Sequence, residues 1–325
     1  MIQVDHLVKD FKVFVRPKGA WNTVKSVFHR DYRIKEAVKD ISFQIDDGEI
    51  VGYVGPNGAG KSTTIKMLSG ILTPTSGEVV VDGIVPYKNR MENAKNIGVV
   101  FGQRSQLYWD LPVRDSFVLH KKMYEIPDTV FKENVQMFTK TLQMEEFLDQ
   151  PVRQLSLGQK MRANIAIALL HNPKIVYLDE PTIGLDIVAK AAIREFILDI
   201  NHKRGTTVII TTHDMADIEQ VCQRLILIDK GILCYDGGLK EFREKFGDVY
   251  LISITLKDKF QFSHPYLQVI DVDDNHITIQ GDKTQISITE AVNYITHHYE
   301  ILDIDIKDSN IESILKDIYT GKVKI

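Results

Sequence analysis

The order of apolar segments predicts an α/β fold with a mostly parallel sheet, followed by a small α+β domain. Three observations carry this expectation. Short apolar runs (Glu49 to Val54, Ile97 to Val100, Ile175 to Leu178, Thr207 to Thr211, Leu225 to Ile228) are separated by helix-like stretches. The first run leads through a glycine-rich turn into a helix. Past Gly238 the pattern changes to closely spaced strands and two amphipathic helices.

In chain order, Ile2 to Val4 is strand-like and Phe11 to Val15 extends it. An insertion rich in basic and aromatic residues occupies about 16–35. The run Glu49 to Val54 is apolar on both faces, as a buried parallel strand requires. A helix follows from about Ser62 to Leu68 and stops at Gly70. Asp82-Gly83 between Val79–Val81 and Ile84–Val85 is a hairpin signal. The stretch of about 111–170 is helical and without strands, and Asn172-Pro173 ends it. Ile193, Phe196, Ile197 and Ile200 put one apolar face on a helix from Ile187 to Ile200. Asp217 to Cys222 is helical, and Asp229-Lys230-Gly231 closes the strand before it. Val249 to Leu256, Leu267 to Val272 and His276 to Gln280 are expected strands, and Ser287…Glu290 and Ser309…Glu312 are capping boxes. The domain boundary is expected at 244/245.

With 325 residues, 44% of them hydrophobic and 26% charged, the chain can bury a core for one large and one small domain. A net charge of −4 argues against a nucleic-acid partner, because tracking phosphates needs an excess of Lys and Arg. Cys222 and Cys234 lack metal-ligand spacing and suit a reducing compartment. No signal peptide is expected from the polar start, and no apolar run approaches the ~18 residues of a membrane span. Service to a membrane would require a partner's helices. His297-His298 has no third ligand at suitable spacing and is expected on a solvated helix.

The chemistry begins at Gly55-Pro56-Asn57-Gly58-Ala59-Gly60-Lys61-Ser62, a complete P-loop between a strand and a helix, followed by Thr63. Its glycines let successive N–H groups turn inward to phosphate oxygens, and the helix N-terminus adds a positive dipole end. Lys61 is expected on the β- and γ-phosphates and Ser62 on Mg²⁺. Ile175 to Glu180 is an apolar strand ending in two carboxylates. Asp179 is placed to join the Mg²⁺ shell, and Glu180 to polarise the attacking water as general base. Leu155-Ser156-Leu157-Gly158-Gln159 stands just before a helix, between the P-loop and the Asp-Glu strand.

With that third motif, residues 1–240 resemble the ABC (ATP-binding cassette) ATPase family. The resemblance makes Leu155 to Gln159 the signature loop, with Leu157 where the usual motif has glycine. It implies that Ser156 and the Gly158 backbone bind the γ-phosphate of ATP held by a second subunit. It also matches Gln103 to the Q-loop, which senses Mg²⁺ and communicates with the membrane subunit. Gly184-Leu185-Asp186 matches the D-loop, and His213 the switch histidine that contacts the γ-phosphate and orients the water. An aromatic ring is expected to stack on adenine. Tyr32, ahead of Ala37-Val38, fits that position, and Phe11 is its rival.

The resemblance implies a P-loop NTPase cassette at 1–244, with its helical subdomain at about 111–170 and an accessory domain at 245–325. It implies ATP and Mg²⁺ as ligands and a closing dimer of two such subunits. Gln103-Arg104-Ser105-Gln106-Leu107 with Trp109-Asp110-Leu111-Pro112, and the long insertion, resemble ATPase subunits of ABC-2-type exporters, nearest the viologen-exporter-like and drug-exporter groups. Such subunits pair with six-helix membrane proteins at the cytoplasmic face. Importer ATPases and soluble ABC ATPases remain alternatives. A translation factor would carry two cassettes, and a repair protein a long coiled coil or zinc hook. A binding module with dead chemistry is disfavoured by Lys61, Asp179, Glu180 and His213.

Overall fold

The computed structural model describes residues 1–14, 32–102, 104–247, 249–257, 262–308 and 311–319. Gln103, Ser309 of the second capping box, and most of the 16–35 insertion, where Trp21, Val24 and Phe28 at i, i+3 and i+7 suggest one face of a short helix, lie outside these. The chain forms two compact units, 1–237 and 238–325. The division precedes the helix at Leu239–Phe246, whereas the sequence suggested a boundary within it.

The first unit begins with β1 (Ile2–Phe14) and β2 (Tyr32–Ile45), followed by β3 (Ile50–Val54), α1 (Lys61–Leu68), β4 (Ser76–Val81), α2 (Arg90–Asn96) and β5 (Ile97–Phe101). Next come α3 (Val113–Met123), α4 (Asp128–Thr141) and α5 (Leu157–Leu169), then β6 (Ile175–Asp179), α6 (Ile187–Arg204), β7 (Thr207–Thr211), α7 (Met215–Val221), β8 (Arg224–Asp229) and β9 (Ile232–Gly238). The main sheet has the order β5-β6-β7-β3-β8-β9, with β5, β6, β7, β3 and β8 parallel. β3 lies inside this sheet, and all five of its residues are buried. That burial explains its unbroken apolar run.

A second, antiparallel sheet has the order β2-β1-β4. Its inward residues Ile2, Val4, Leu7, Val38, Ile41, Phe43 and Ile45 share one core with Val51, Tyr53, Ile226 and Ile228 of the main sheet and Ile65 and Leu68 of α1. The Phe43 and Tyr53 rings meet at 5.9 Å. Each such fully buried side chain is worth about 1.5–3 kcal/mol over exposure. This core clamps the strand before the P-loop and the helix after it. The Asp82-Gly83 turn forms, with both residues at positive φ, but only an isolated bridge joins Val81 to Ile84 and no second strand follows.

The second unit opens with α8 (Leu239–Phe246), then β10 (Val249–Leu256), β11 (Leu267–Asp273), β12 (His276–Asp282), α9 (Ile288–His298), β13 (Ile301–Asp308) and α10 (Ile311–Tyr319). Its antiparallel sheet has the order β11-β12-β10-β13. Alternate residues Tyr250, Ile252, Ile254 and Leu256 turn to one face and pack with Ala291 and Ile295 of α9, whose Ser287–Glu290 capping box is formed. Among the described residues no helix is long and apolar enough to cross a membrane.

Candidate active site

The P-loop needs backbone conformations that only glycine adopts cheaply. Gly60 has φ 112°, and a Cβ there would meet the Ala37 carbonyl oxygen at 2.6 Å. Gly55 passes so close to β8 that a Cβ would lie 2.3 Å from the Ile228 oxygen. The loop delivers Lys61 to a buried position, where Nζ donates to the Gly55 carbonyl at 2.5 Å and the Pro56 carbonyl at 3.2 Å. Burial holds the Lys61 ammonium below its ordinary pKa, and the charges of Glu180 and Asp179 oppose that shift.

Ser62 Oγ, on the first turn of α1, donates to Asp179 Oδ2 at 3.1 Å. Asp179 ends β6, and the adjacent β7 supplies Thr211, whose Oγ1 donates to Asp179 Oδ1 at 2.5 Å. Parallel pairing of Asp179 with Thr211 sets this contact. Ser62 and Asp179 offer a hydroxyl and a carboxylate side by side, a hard-oxygen pair that suits Mg²⁺.

Glu180 is a non-glycine residue at φ 55°, a conformation that costs about 1–3 kcal/mol and concentrates at working sites. Its backbone is held there because its N–H donates to the Thr211 carbonyl at 2.8 Å. The carboxylate meets His213 Nε2 at 3.0 Å, and the imidazole remains 43% exposed. A base candidate and an imidazole are therefore in contact beside the P-loop.

Two clefts open on this cluster. One, of about 650 Å³, is lined by Phe11, Lys12, Val13, Phe14, Lys35 and Ala37 with Pro56, Asn57, Gly58, Gly60 to Thr63 and Glu180. The other, of about 370 Å³, includes Ser62, Lys66, Gly102, Arg104, Asp179 and Glu180 in its lining. Gly102 and Arg104 bring the chain on both sides of Gln103 to the second cleft. Tyr32 is not among the lining residues. The β1–β2 register sets Phe11 opposite Lys35 and Phe14, itself a lining residue, opposite Tyr32. Tyr32 is 54% exposed and touches Phe14 edge-on at 6.3 Å.

None of Leu155 to Gln159 is among the residues lining either cleft of one chain. Ser156 is the N-cap of α5 in a capping box, with its N–H donating to Gln159 Oε1 at 2.9 Å and the Gln159 N–H to Ser156 Oγ at 3.2 Å. Leu157, the departure from the usual motif, is 52% exposed. A Cβ on Gly184 would meet its Cδ2 at 3.0 Å, so the two loops lie against each other. Asp186 caps α6, accepting from the Ala189 N–H at 2.8 Å. Sequence reasoning missed Thr211 and a set formed by the buried Thr182, Thr212 and Asp217 with the partly buried Arg194. The Thr-Thr pair before His213 was the available signal for two of them.

Residues 38–183 match the model of the ABC transporter family. The chain is 32% identical to the ABC transporter ATP-binding protein NatA of Bacillus subtilis over 67% of its own length and 88% of that protein. It is 30% identical to the linearmycin resistance ATP-binding protein LnrL of the same organism, over 90% of this chain and 96% of that one. Among solved structures it resembles the dimeric post-hydrolysis ATP-binding cassette MJ0796 bound to ADP and Pi, with a TM-score of 0.62 and 27% identity over 74% of this chain and 99% of that one. It also resembles cbiO1 of Clostridium perfringens, part of the ABC transporter complex cbiONQ, with a TM-score of 0.60 and 29% identity over 75% and 91% of the two chains. The P-loop, the Asp179–Glu180 pair and these similarities lead to one conclusion: the chain belongs to the ABC transporter family, as an ATP-binding subunit that hydrolyses ATP.

Proposed function

We propose that this subunit uses ATP hydrolysis at a site shared by two copies to drive export of a small molecule through ABC-2-type membrane subunits. The carrying observation is the contact of Glu180 with His213 at 3.0 Å, next to Ser62 and Asp179 at 3.1 Å. Glu180 accepts the proton of the attacking water, and His213 orients that water and the γ-phosphate. Lys61 and the P-loop N–H groups between Gly55 and Thr63, Pro56 having none, hold the β- and γ-phosphates. Ser62 and Asp179, with Gln103, would hold Mg²⁺, which when bound would neutralise the developing phosphate charge. Phe11, in place of Tyr32, stacks on adenine.

Ser156, Gly158 and Gln159 act across the dimer, with Asp186 at the edge of the same contact. Their separation from the P-loop cluster within one chain supports that role, as does the similarity to a dimeric cassette. ATP can drive closure because these contacts to the γ-phosphate exist only in the closed state. The exporter reading is supported by similarity over nearly the whole chain to a protein named for linearmycin resistance. The viologen-exporter-like or drug-exporter assignment rests on the 103–112 stretch and the 16–35 insertion. The pump would lie at the cytoplasmic face of the membrane, with the second unit, 238–325, regulating subunit pairing.

The test is Glu180→Gln in the purified subunit. Loss of a positioned base lowers turnover by about 10²–10⁴-fold. ATP binding should persist, and a closed dimer should accumulate on size exclusion. Near-normal turnover would remove Glu180 from the mechanism.

A further inference from the structure

We propose that Asp217 is a positioning residue for the ATPase reaction, holding Glu180 and His213 in mutual register through two threonine hydroxyls. The proposal rests on the reading of Glu180 and His213 given above. Asp217 sits in α7 and is only 2% exposed. A buried carboxylate is costly unless charge and hydrogen bonds compensate it. Here both oxygens are engaged. Oδ2 accepts from Thr182 Oγ1 and from Thr212 Oγ1, the latter at 3.0 Å. Oδ1 accepts from Arg194 Nε at 2.6 Å. Arg194 comes from α6 and also donates to Gln220 Oε1 at 3.0 Å.

The places in the chain are what matter. Thr182 is two residues beyond Glu180, and Thr212 directly precedes His213. Both threonines are buried. Thr212 Oγ1 also accepts from the Asp214 N–H at 3.0 Å, so it braces the backbone on the far side of the histidine. One carboxylate thus ties the segment after β6, the segment after β7 and helix α6 to a common point. Glu180 and His213 are themselves partly exposed, so their side chains are not locked by packing. Their 3.0 Å contact depends on where two separate loops are held. A displacement of about 1 Å in such a pair can cost about 10²-fold in rate. Bonds to a charged acceptor are stronger than neutral ones, which suits a fixed reference point.

The test uses Thr182→Val and Thr212→Val in the full-length chain. Each removes one hydroxyl at nearly constant volume and leaves the Asp217–Arg194 pair intact. Steady-state ATPase, normalised to titrated ATP-binding sites, should lose at least about tenfold in kcat, with KM for ATP changed less than about twofold. Thr212→Ser retains the hydroxyl and should return kcat to within about twofold of the parent. A merely stabilising role would lower the melting temperature but leave kcat per binding site unchanged. That result in both valine variants, or failure of serine to restore turnover lost in Thr212→Val, overturns the proposal. If Glu180→Gln and His213→Ala also turn over normally, the reading of the site falls with it. If those two are inactive while the valine variants are normal, only the positioning role falls.

Discussion

Replacing Phe11 by Ala should weaken nucleotide binding, and replacing Tyr32 by Ala should not. Phe11 lines the same cleft as the P-loop, and Lys9 Nζ lies 5.3 Å from its ring centroid. Tyr32 lies level with Phe14 at the start of β2, and the two rings make a T-shaped contact at 6.3 Å. Base–aromatic stacking is worth about 1–3 kcal/mol by alanine substitution, which converts to about 5- to 150-fold in Kd. The Phe11 ring is only partly covered by protein, so its removal opens little internal cavity and the effect belongs to the ligand. Isothermal titration with ATP and ADP measures it. Both nucleotides should lose affinity equally, because the adenine is common to them. A larger loss in Tyr32→Ala than in Phe11→Ala would refute the assignment of stacking to Phe11. A loss for ATP alone would mean that Phe11 acts near the γ-phosphate instead.

Acid should weaken the first unit through a stack of His120, Tyr124 and His171, with ring centroids at 4.4 and 4.2 Å. Burial pushes both histidines down to about 4, the His171 charge adding to the effect on His120 and the Ile97 carbonyl opposing it on His171. Their neutral forms therefore contribute stability above about pH 6.5 that is lost as pH falls toward 4, roughly 3 kcal/mol for each at the lower limit. His120→Phe should flatten the fall in chemical-denaturation stability between those limits, and an unchanged slope would contradict it. Removing residues 238–325 should leave ATP affinity in calorimetry unchanged, because every phosphate-binding residue named lies in 1–237. A lower affinity would give the second unit a part in the nucleotide site.

What could be read from the sequence follows physical necessity. A loop that wraps phosphate has few solutions, so Gly55 to Ser62 was legible in full. β3 and β6 are buried on both faces and therefore appear as unbroken apolar runs. β2 was not legible: its outer half, Tyr32 to Glu36, is exposed and mixes charges with apolar residues, so no buried face shows. β9 is an edge strand with two glycines and little burial. β13 does carry Ile304 and Ile306 alternating with acids, a signal of period two that was open to reading and was missed. Tyr32 and Phe11 stood as rivals because nearness along the chain to Ala37 does not report which cross-strand partner reaches the cleft. The Asp217 set was hidden for a related reason, since Thr182 and Asp217 meet from 35 positions apart.

Sharing of each site between two chains is tested most directly by mixing two inactive variants, Lys61→Ala and Ser156→Arg. In a mixed dimer one site holds both lesions, while the other joins an intact P-loop from one chain to an intact signature loop from its partner. Random mixing with independent sites should restore about a quarter of parental ATPase, since about half the dimers are mixed and each has one whole site of two. Recovery near that level is the expected result. No ATPase at all, with mixed dimers shown to form, would contradict the shared site.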